Sequence, residues 1–154
     1  PADRAAAAGP VILIDTNLWL YAALQETPQH GAAKAWMESV LNGEESIALP
    51  WSVVLAVLRI STQSRLMLHP LSPDQAMELV ETWLHHPLVA VVQPGPSHWG
   101  VLRLLLQEAG TAGNLTSDAH LAALAIEHDC TLCSADSDFR RFPGLRYRNP
   151  LTSP

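Results

Sequence analysis

The chain has 154 residues, about the length of one domain, which is enough to bury a core without disulfides or a structural metal. Apolar residues make up 48% and charged residues only 16%, against roughly 25% charged in an average domain, so a dense core and an apolar surface suited to a partner are expected. The net charge of −6 excludes nucleic-acid binding driven by bulk charge, and no apolar run reaches the roughly 18 residues of a membrane span. Residues 1–9 are alanine-rich and lack the leucine-rich stretch of a signal peptide. They read as a disordered tail or expression remnant, residues 10–151 as a single domain, and the expected compartment is the cytoplasm.

Along the chain, short strand-like runs alternate with longer helix-like ones. Residues 11–15 are four large or branched apolar residues closed by Asp15, the pattern of a buried parallel strand. Thr16 and Asn17 lead into a short helix over 18–24. Pro28 starts the next helix, which Asn42-Gly43 ends. A second strand covers 47–49, and Pro50 opens a very apolar helix over 51–61. Ser72-Pro73-Asp74 combines a cap, a proline at the first helical position and an acid in the first turn, and so starts a helix that Pro87 ends. A third strand follows over 88–92, then a helix over 97–109 stopped by Gly110. Ser117 is expected to cap a helix over 118–128. A fourth strand over 131–134, a helical turn over 136–142 and an edge strand over 145–147 complete the series. Such alternation implies a parallel sheet covered on both faces, with residues 28–86 supplying a helical hairpin beside it.

Asp15 and Asp136 follow two of these strands, and Asp118 opens a helix. Open α/β sheets gather their ligands at the carboxyl edge of the strands. Three carboxylates there suggest a hard cation, Mg²⁺ or Mn²⁺, and chemistry on phosphate, in which a metal-bound water cuts a phosphodiester to leave a 3′-hydroxyl. Thr16, Asn17 and Ser134 add hydroxyl and amide groups able to orient a carboxylate or a water. Arg59, Arg140 and Arg141 are candidates for gripping substrate phosphates. Four arginines, Arg140, Arg141, Arg146 and Arg148, crowd into nine positions, forming either a local positive rim or a set of ion-paired side chains. Cys130 and Cys133 read as small apolar residues about a buried strand rather than a redox pair, since residues three apart in a strand point to opposite faces. His120, two residues beyond Asp118, turns about 200° away from it around the helix. The five tryptophans are expected mostly to fill the core or a protein interface, and Trp19 and Trp51 are the ones best placed to stack on bases instead.

Taken together, Ile14-Asp15-Thr16-Asn17, Leu58-Arg59-Ile60, Thr116-Ser117-Asp118-Ala119-His120-Leu121-Ala122-Ala123 and Ser134-Ala135-Asp136-Ser137-Asp138-Phe139 resemble the PIN-domain family. The likeness is in particular to VapC-type toxins of bacterial toxin–antitoxin pairs, and covers about residues 11–151. It implies an α/β/α sandwich with a mostly parallel sheet of four to five strands and an Mg²⁺- or Mn²⁺-dependent ribonuclease acting on RNA. It further implies a homodimer and neutralisation by a small VapB-type antitoxin. Asp15, Asp118 and Asp136 match the family's acidic positions as catalytic and metal-holding residues, with Asp138 assisting or substituting.

One position departs from that pattern. The family usually places a glutamate three residues before an arginine such as Arg59, and Ala56 stands there. Three carboxylates can still hold one Mg²⁺ with several waters, at reduced affinity. A catalytically weakened or inactive module that binds RNA or protein is the alternative reading. A phosphatase would want an acid two residues after Asp15, where Asn17 stands.

Overall fold

The computed structural model describes residues 11–152, and the expectation of a tail over 1–9 lies outside them. Five parallel strands form one sheet in the order β3-β2-β1-β4-β5. They are β1 (Val11–Ile14), β2 (Ser46–Pro50), β3 (Val89–Val92), β4 (Thr131–Cys133) and β5 (Tyr147–Arg148). The helices are α1 (Thr16–Ala23), α2 (His30–Leu41), α3 (Trp51–Ser61), α4 (Pro73–Leu84), α5 (His98–Ala109) and α6 (Thr116–Glu127). Short 3₁₀ turns occupy Gly113–Leu115 and Ser137–Arg141.

The central strand is β1, which explains its unbroken apolar sequence. Ile12, Leu13 and Ile14 are all buried, because helices cover both faces of a parallel sheet. The chain enters next to β2 and crosses back to β4, so the two strands that flank β1 come from opposite halves of the sequence. Helices between strands pair as neighbours: α1 packs on α2, α3 on α4, and α5 on α6. The hairpin expected within 28–86 is the α3–α4 pair. The α1–α2 and α5–α6 pairs are two more, which the alternation of elements did not reveal.

Local chemistry sets the ends of these elements. Ser72 accepts from the Gln75 amide while the Gln75 side chain accepts from the Ser72 amide, a reciprocal cap that starts α4. Gly110, at φ +70°, ends α5 in the left-handed region that favours glycine. Beyond α6 the same turn is made by Asp129, at φ 54°. Its amide donates to Ile126 O and the Cys130 amide to Ala125 O, which satisfies the last carbonyls of the helix. Arg146 donates to the Asp129 backbone oxygen and lies 2.8 Å from its carboxylate. This turn feeds the chain into β4.

Two sequence expectations need correction here, and one that was open is decided. Helix α2 starts at His30 with Gln29 as its cap, two residues after Pro28. Trp19 cannot stack on a base, because it is fully buried: its indole N–H donates to Ile14 O at 3.2 Å, and its ring lies 4.4 Å from that of Trp83. Trp51 is half exposed, as base stacking would require. The crowded arginines do not form one rim. Arg146 is committed to Asp129 at the far end of β4, Arg148 reaches Cys133 Sγ, and Arg140 lies 5.9 Å over the Tyr147 ring. Cys130 and Cys133 are both free and buried, and burial pushes the Cys130 thiol up to about 11, as expected of packing residues.

Because Trp19 links the end of β1 to α4, Trp19→Ala should destabilise the fold by about 3–5 kcal/mol, read as a lowered midpoint in urea denaturation.

Candidate metal centre and cleft

The pairing of β1 with β4 sets the site. Ile14 lies level with Cys133, so Asp15 emerges beside Ser134 at the carboxyl edge, with its amide donating to Cys133 O at 2.9 Å. Asp15 is buried. Its Oδ1 accepts from the Thr16 amide and its Oδ2 from the Ser134 hydroxyl, both at 2.7 Å. That hydroxyl also accepts from the Asp136 amide at 3.0 Å and from the Asn17 side-chain amide at 3.2 Å. A serine hydroxyl has one proton and two lone pairs, and here all three are used. Asn17 completes the link by accepting from the Ala135 amide. The sequence placed Asp15, Asn17, Ser134 and Asp136 at one edge, and the structure joins them in one hydrogen-bonded network.

Asp136 accepts from the Asp138 amide and so caps the 3₁₀ turn that follows, which carries Asp138, Arg140 and Arg141. Asp118 stands in the first turn of α6, where the helix dipole favours its charge. The expected cap at Ser117 is not formed. The helix starts at Thr116, directly from the preceding 3₁₀ turn anchored by buried Leu115, and Ser117 lies inside its first turn.

Four carboxylates share this edge and repel one another. Burial, and then the charges of Asp15, Asp136 and Asp138, push the Asp118 carboxyl up to about 6. Burial likewise raises Asp15, against the opposing pull of the Ser134 and Thr16 hydrogen bonds. Among the described residues, no three acidic, imidazole or thiol side chains stand close enough to enclose an ion by themselves. An all-oxygen set whose members repel one another fits a hard divalent cation that keeps part of its water shell.

A cleft of about 680 Å³ opens beside these groups, between α3, α5 and α6. Asp15, Thr16, Asp118 and Arg59 border it, and so does Ala56. The position that lacks the usual glutamate therefore faces the same space as two of the aspartates. Asp118 also borders an adjoining hollow of about 340 Å³ with Asp138 and Arg141. Arg140 borders neither and is held over Tyr147. One polar bordering residue was missed in the sequence. Ser52 lies four residues before Ala56, hence on the same helix face, a spacing that could have revealed it. His120 borders the cleft although it lies two residues along from Asp118, and its Nδ1 sits 3.0 Å from His98 Nε2.

This fold and this edge of carboxylates define a class. The PIN-domain family model matches residues 12–145, and the chain belongs to that family. Ribonuclease VapC33 of Mycobacterium tuberculosis is 40% identical over 141 residues, 92% of this chain and 99% of that protein. Ribonuclease VapC37 of Mycobacterium tuberculosis is 37% identical over 138 residues, 90% of this chain and 96% of that protein. Among solved structures, VapBC2 from Rickettsia felis bound to a promoter DNA fragment contains a chain with a TM-score of 0.66 at 19% identity, covering 90% of this chain and 98% of that one. VapC20 of Mycobacterium tuberculosis, a toxin that cleaves the Sarcin-Ricin loop, gives 0.65 at 16% identity, covering 88% and 98%. These two share the fold. Within the PIN-domain family the chain is an endoribonuclease of the VapC toxin type, a class that is metal-dependent in general. No helix among the described residues is long and apolar enough to cross a membrane.

Two outcomes follow from these electrostatics. Asp118 binds its proton more tightly folded, at about 6, than at its ordinary 3.8. The stability this group contributes is therefore fully present below 3.8 and is lost as pH rises through about 6. Asp118→Asn should raise the thermal midpoint of metal-free protein at neutral pH and flatten its decline across that interval in differential scanning calorimetry. Ser134→Ala removes the proton donated to Asp15 and should weaken Mn²⁺ binding by about 10–100-fold in titration calorimetry.

Proposed function

We infer that the chain cuts RNA internally at the carboxyl edge of its sheet, as the toxin of a toxin–antitoxin pair, using Mg²⁺ or Mn²⁺ held by Asp15, Asp118 and Asp136. The observation that carries this reading is the placement of Asp15 and Asp118 on one cleft, where burial and then the charges of Asp15, Asp136 and Asp138 raise the Asp118 carboxyl. Ionised together, these groups repel, and a divalent cation relieves the repulsion. When bound, the metal supplies a water of lowered pKa and neutralises charge developing on the phosphate.

The protein groups do the rest. Ser134 keeps one Asp15 oxygen fixed and, by accepting from Asn17 and Asp136, ties both strand ends into one rigid edge. The Thr16 amide holds the other oxygen. Asp138, beside Asp136 and bordering the hollow with Asp118, assists as a further acid. Arg59 and Arg141, on two sides of Asp118, grip RNA phosphates on either side of the cut, where guanidinium geometry suits phosphate. Arg140 adds a phosphate contact farther out, beside Tyr147.

The proposed partners are RNA, a small VapB-type antitoxin and a second copy of the chain, all in the cytoplasm. The VapBC complexes of the same fold support the antitoxin. Exposed apolar side chains support covered surfaces: Trp51, Leu55, Leu68, Trp99 and Leu104 are each about half exposed or more.

Incubating a mixture of transfer, ribosomal and messenger RNA with the protein should give discrete fragments in Mg²⁺ or Mn²⁺ and none in EDTA. Asp15→Asn should abolish cutting while leaving circular dichroism unchanged. Undiminished cutting by that variant would remove Asp15 from the site. Ala56→Glu adds a carboxylate to the cleft and should tighten Mn²⁺ binding. An unchanged affinity would mean that the site is complete with the acids it has.

A further inference from the structure

Three side chains outside the carboxylate network form a line that ends in the cleft. His120 and Glu127 lie seven residues apart on α6, so two helical turns bring them to one face. His98, the first residue of α5, sits between them. Its Nε2 is 3.0 Å from His120 Nδ1, and the rings meet edge to face with centroids 4.9 Å apart. Its Nδ1 is buried, forms no hydrogen bond, and lies 3.7 Å from Glu127 Oε1. Glu127 is itself fixed, accepting from the Gly95 amide at 2.8 Å and the Ser97 amide at 3.1 Å. A Cβ on Gly95 would lie 2.6 Å from that carboxylate and would push it from this position.

Capping α5 accounts for Glu127, and packing beside it accounts for His98. Neither accounts for a second imidazole carried onward into the cleft that Asp15, Asp118 and Arg59 border. The hydrogen-bond order along the line decides what that imidazole offers. Between two neutral rings one nitrogen donates and the other accepts. We assign the His98 proton to Nδ1, the nitrogen beside the Glu127 carboxylate, and with both rings neutral His98 Nε2 then accepts and His120 Nδ1 donates. His120 Nε2 then carries a lone pair, and no other described residue hydrogen-bonds to it.

A phosphate oxygen is also an acceptor and cannot pair with that nitrogen. The donor on every nucleotide of RNA, absent from DNA, is the ribose 2′-hydroxyl. We propose that His120 accepts a hydrogen bond from a 2′-hydroxyl of the RNA strand in the cleft, with His98 and Glu127 as positioning residues, and so selects RNA over DNA. The inference rests on the reading of this cleft as the RNA site.

The test compares binding of a fluorescein-labelled single-stranded RNA of randomised sequence with its all-deoxy counterpart, by anisotropy in EDTA. The wild-type chain should prefer RNA by about tenfold, the scale of one well-made hydrogen bond. His120→Ala should lose that preference by weakening RNA binding alone. His120→Gln, whose amide oxygen can take the place of Nε2, should keep most of it. His120→Asn retains only the reach to His98 and should behave as the alanine variant does. A wild-type RNA-to-DNA ratio in His120→Ala, or equal weakening on both strands, would overturn the assignment. Cleavage abolished by Asp15→Asn would, in that case, leave the nuclease reading standing. RNA cleavage undiminished in Asp15→Asn would overturn the cleft reading itself, and no binding of either strand by the wild-type chain would overturn both.

Discussion

The site depends on one buried hydrogen bond, from the Ser134 hydroxyl to the Asp15 carboxylate. A carboxylate taken out of water costs several kcal/mol unless its oxygens find donors. At the end of β1 the donors available are one backbone amide, from Thr16, and one hydroxyl brought across by the neighbouring strand. The register that sets Ile14 beside Cys133 therefore does two things at once. It pairs the apolar strands of the core, and it delivers the hydroxyl that opposes the rise burial imposes on the Asp15 carboxyl. A slip of one residue between β1 and β4 would turn Ser134 to the other face and strand the carboxylate.

The remaining acids are arranged around that fixed point at a cost. Asp118 is carried by α6, Asp136 and Asp138 by the turn after β4, and burial, with the neighbouring carboxylate charges added to it, raises the Asp118 carboxyl to about 6. Such a site opposes the stability of the metal-free fold, and the core offsets it. Trp19 ties the end of β1 to α4, and the alanine-rich α6 lies buried along most of its length. Small side chains on that helix permit close packing, so a charged residue in its first turn can be held without a long flexible arm.

The cleft gathers different chemistry on its two sides. Asp15 and Asp118 face Arg59 and the shortened side chain of Ala56 on α3. On the α5–α6 side, His120 is presented by His98, and His98 lies against Glu127. The opening thus sets one arginine and one imidazole beside two carboxylates, in a chain whose net charge is −6.

How much of this was legible beforehand depends on the range of the interaction. Strand β1, the α4 cap at Ser72 and the stop at Gly110 are set by neighbours within a few residues, and the sequence alone was enough to place them. The same holds for the positions of Asp15, Asp118 and Asp136 after two strands and in the first turn of a helix, and for the alternation that implies a parallel sheet. What only the tertiary structure decided involves residues far apart in the chain. Trp19 turned inward against Trp83. Arg146 was drawn away to Asp129. Ser134 reached Asp15 across 119 positions, and His98 met His120 across 22. Periodicity and capping are local and leave a mark in the residue order. Which hydroxyl or imidazole fills a given buried contact is decided by the packing of strands and helices, and that contact exists only once the chain has closed around it.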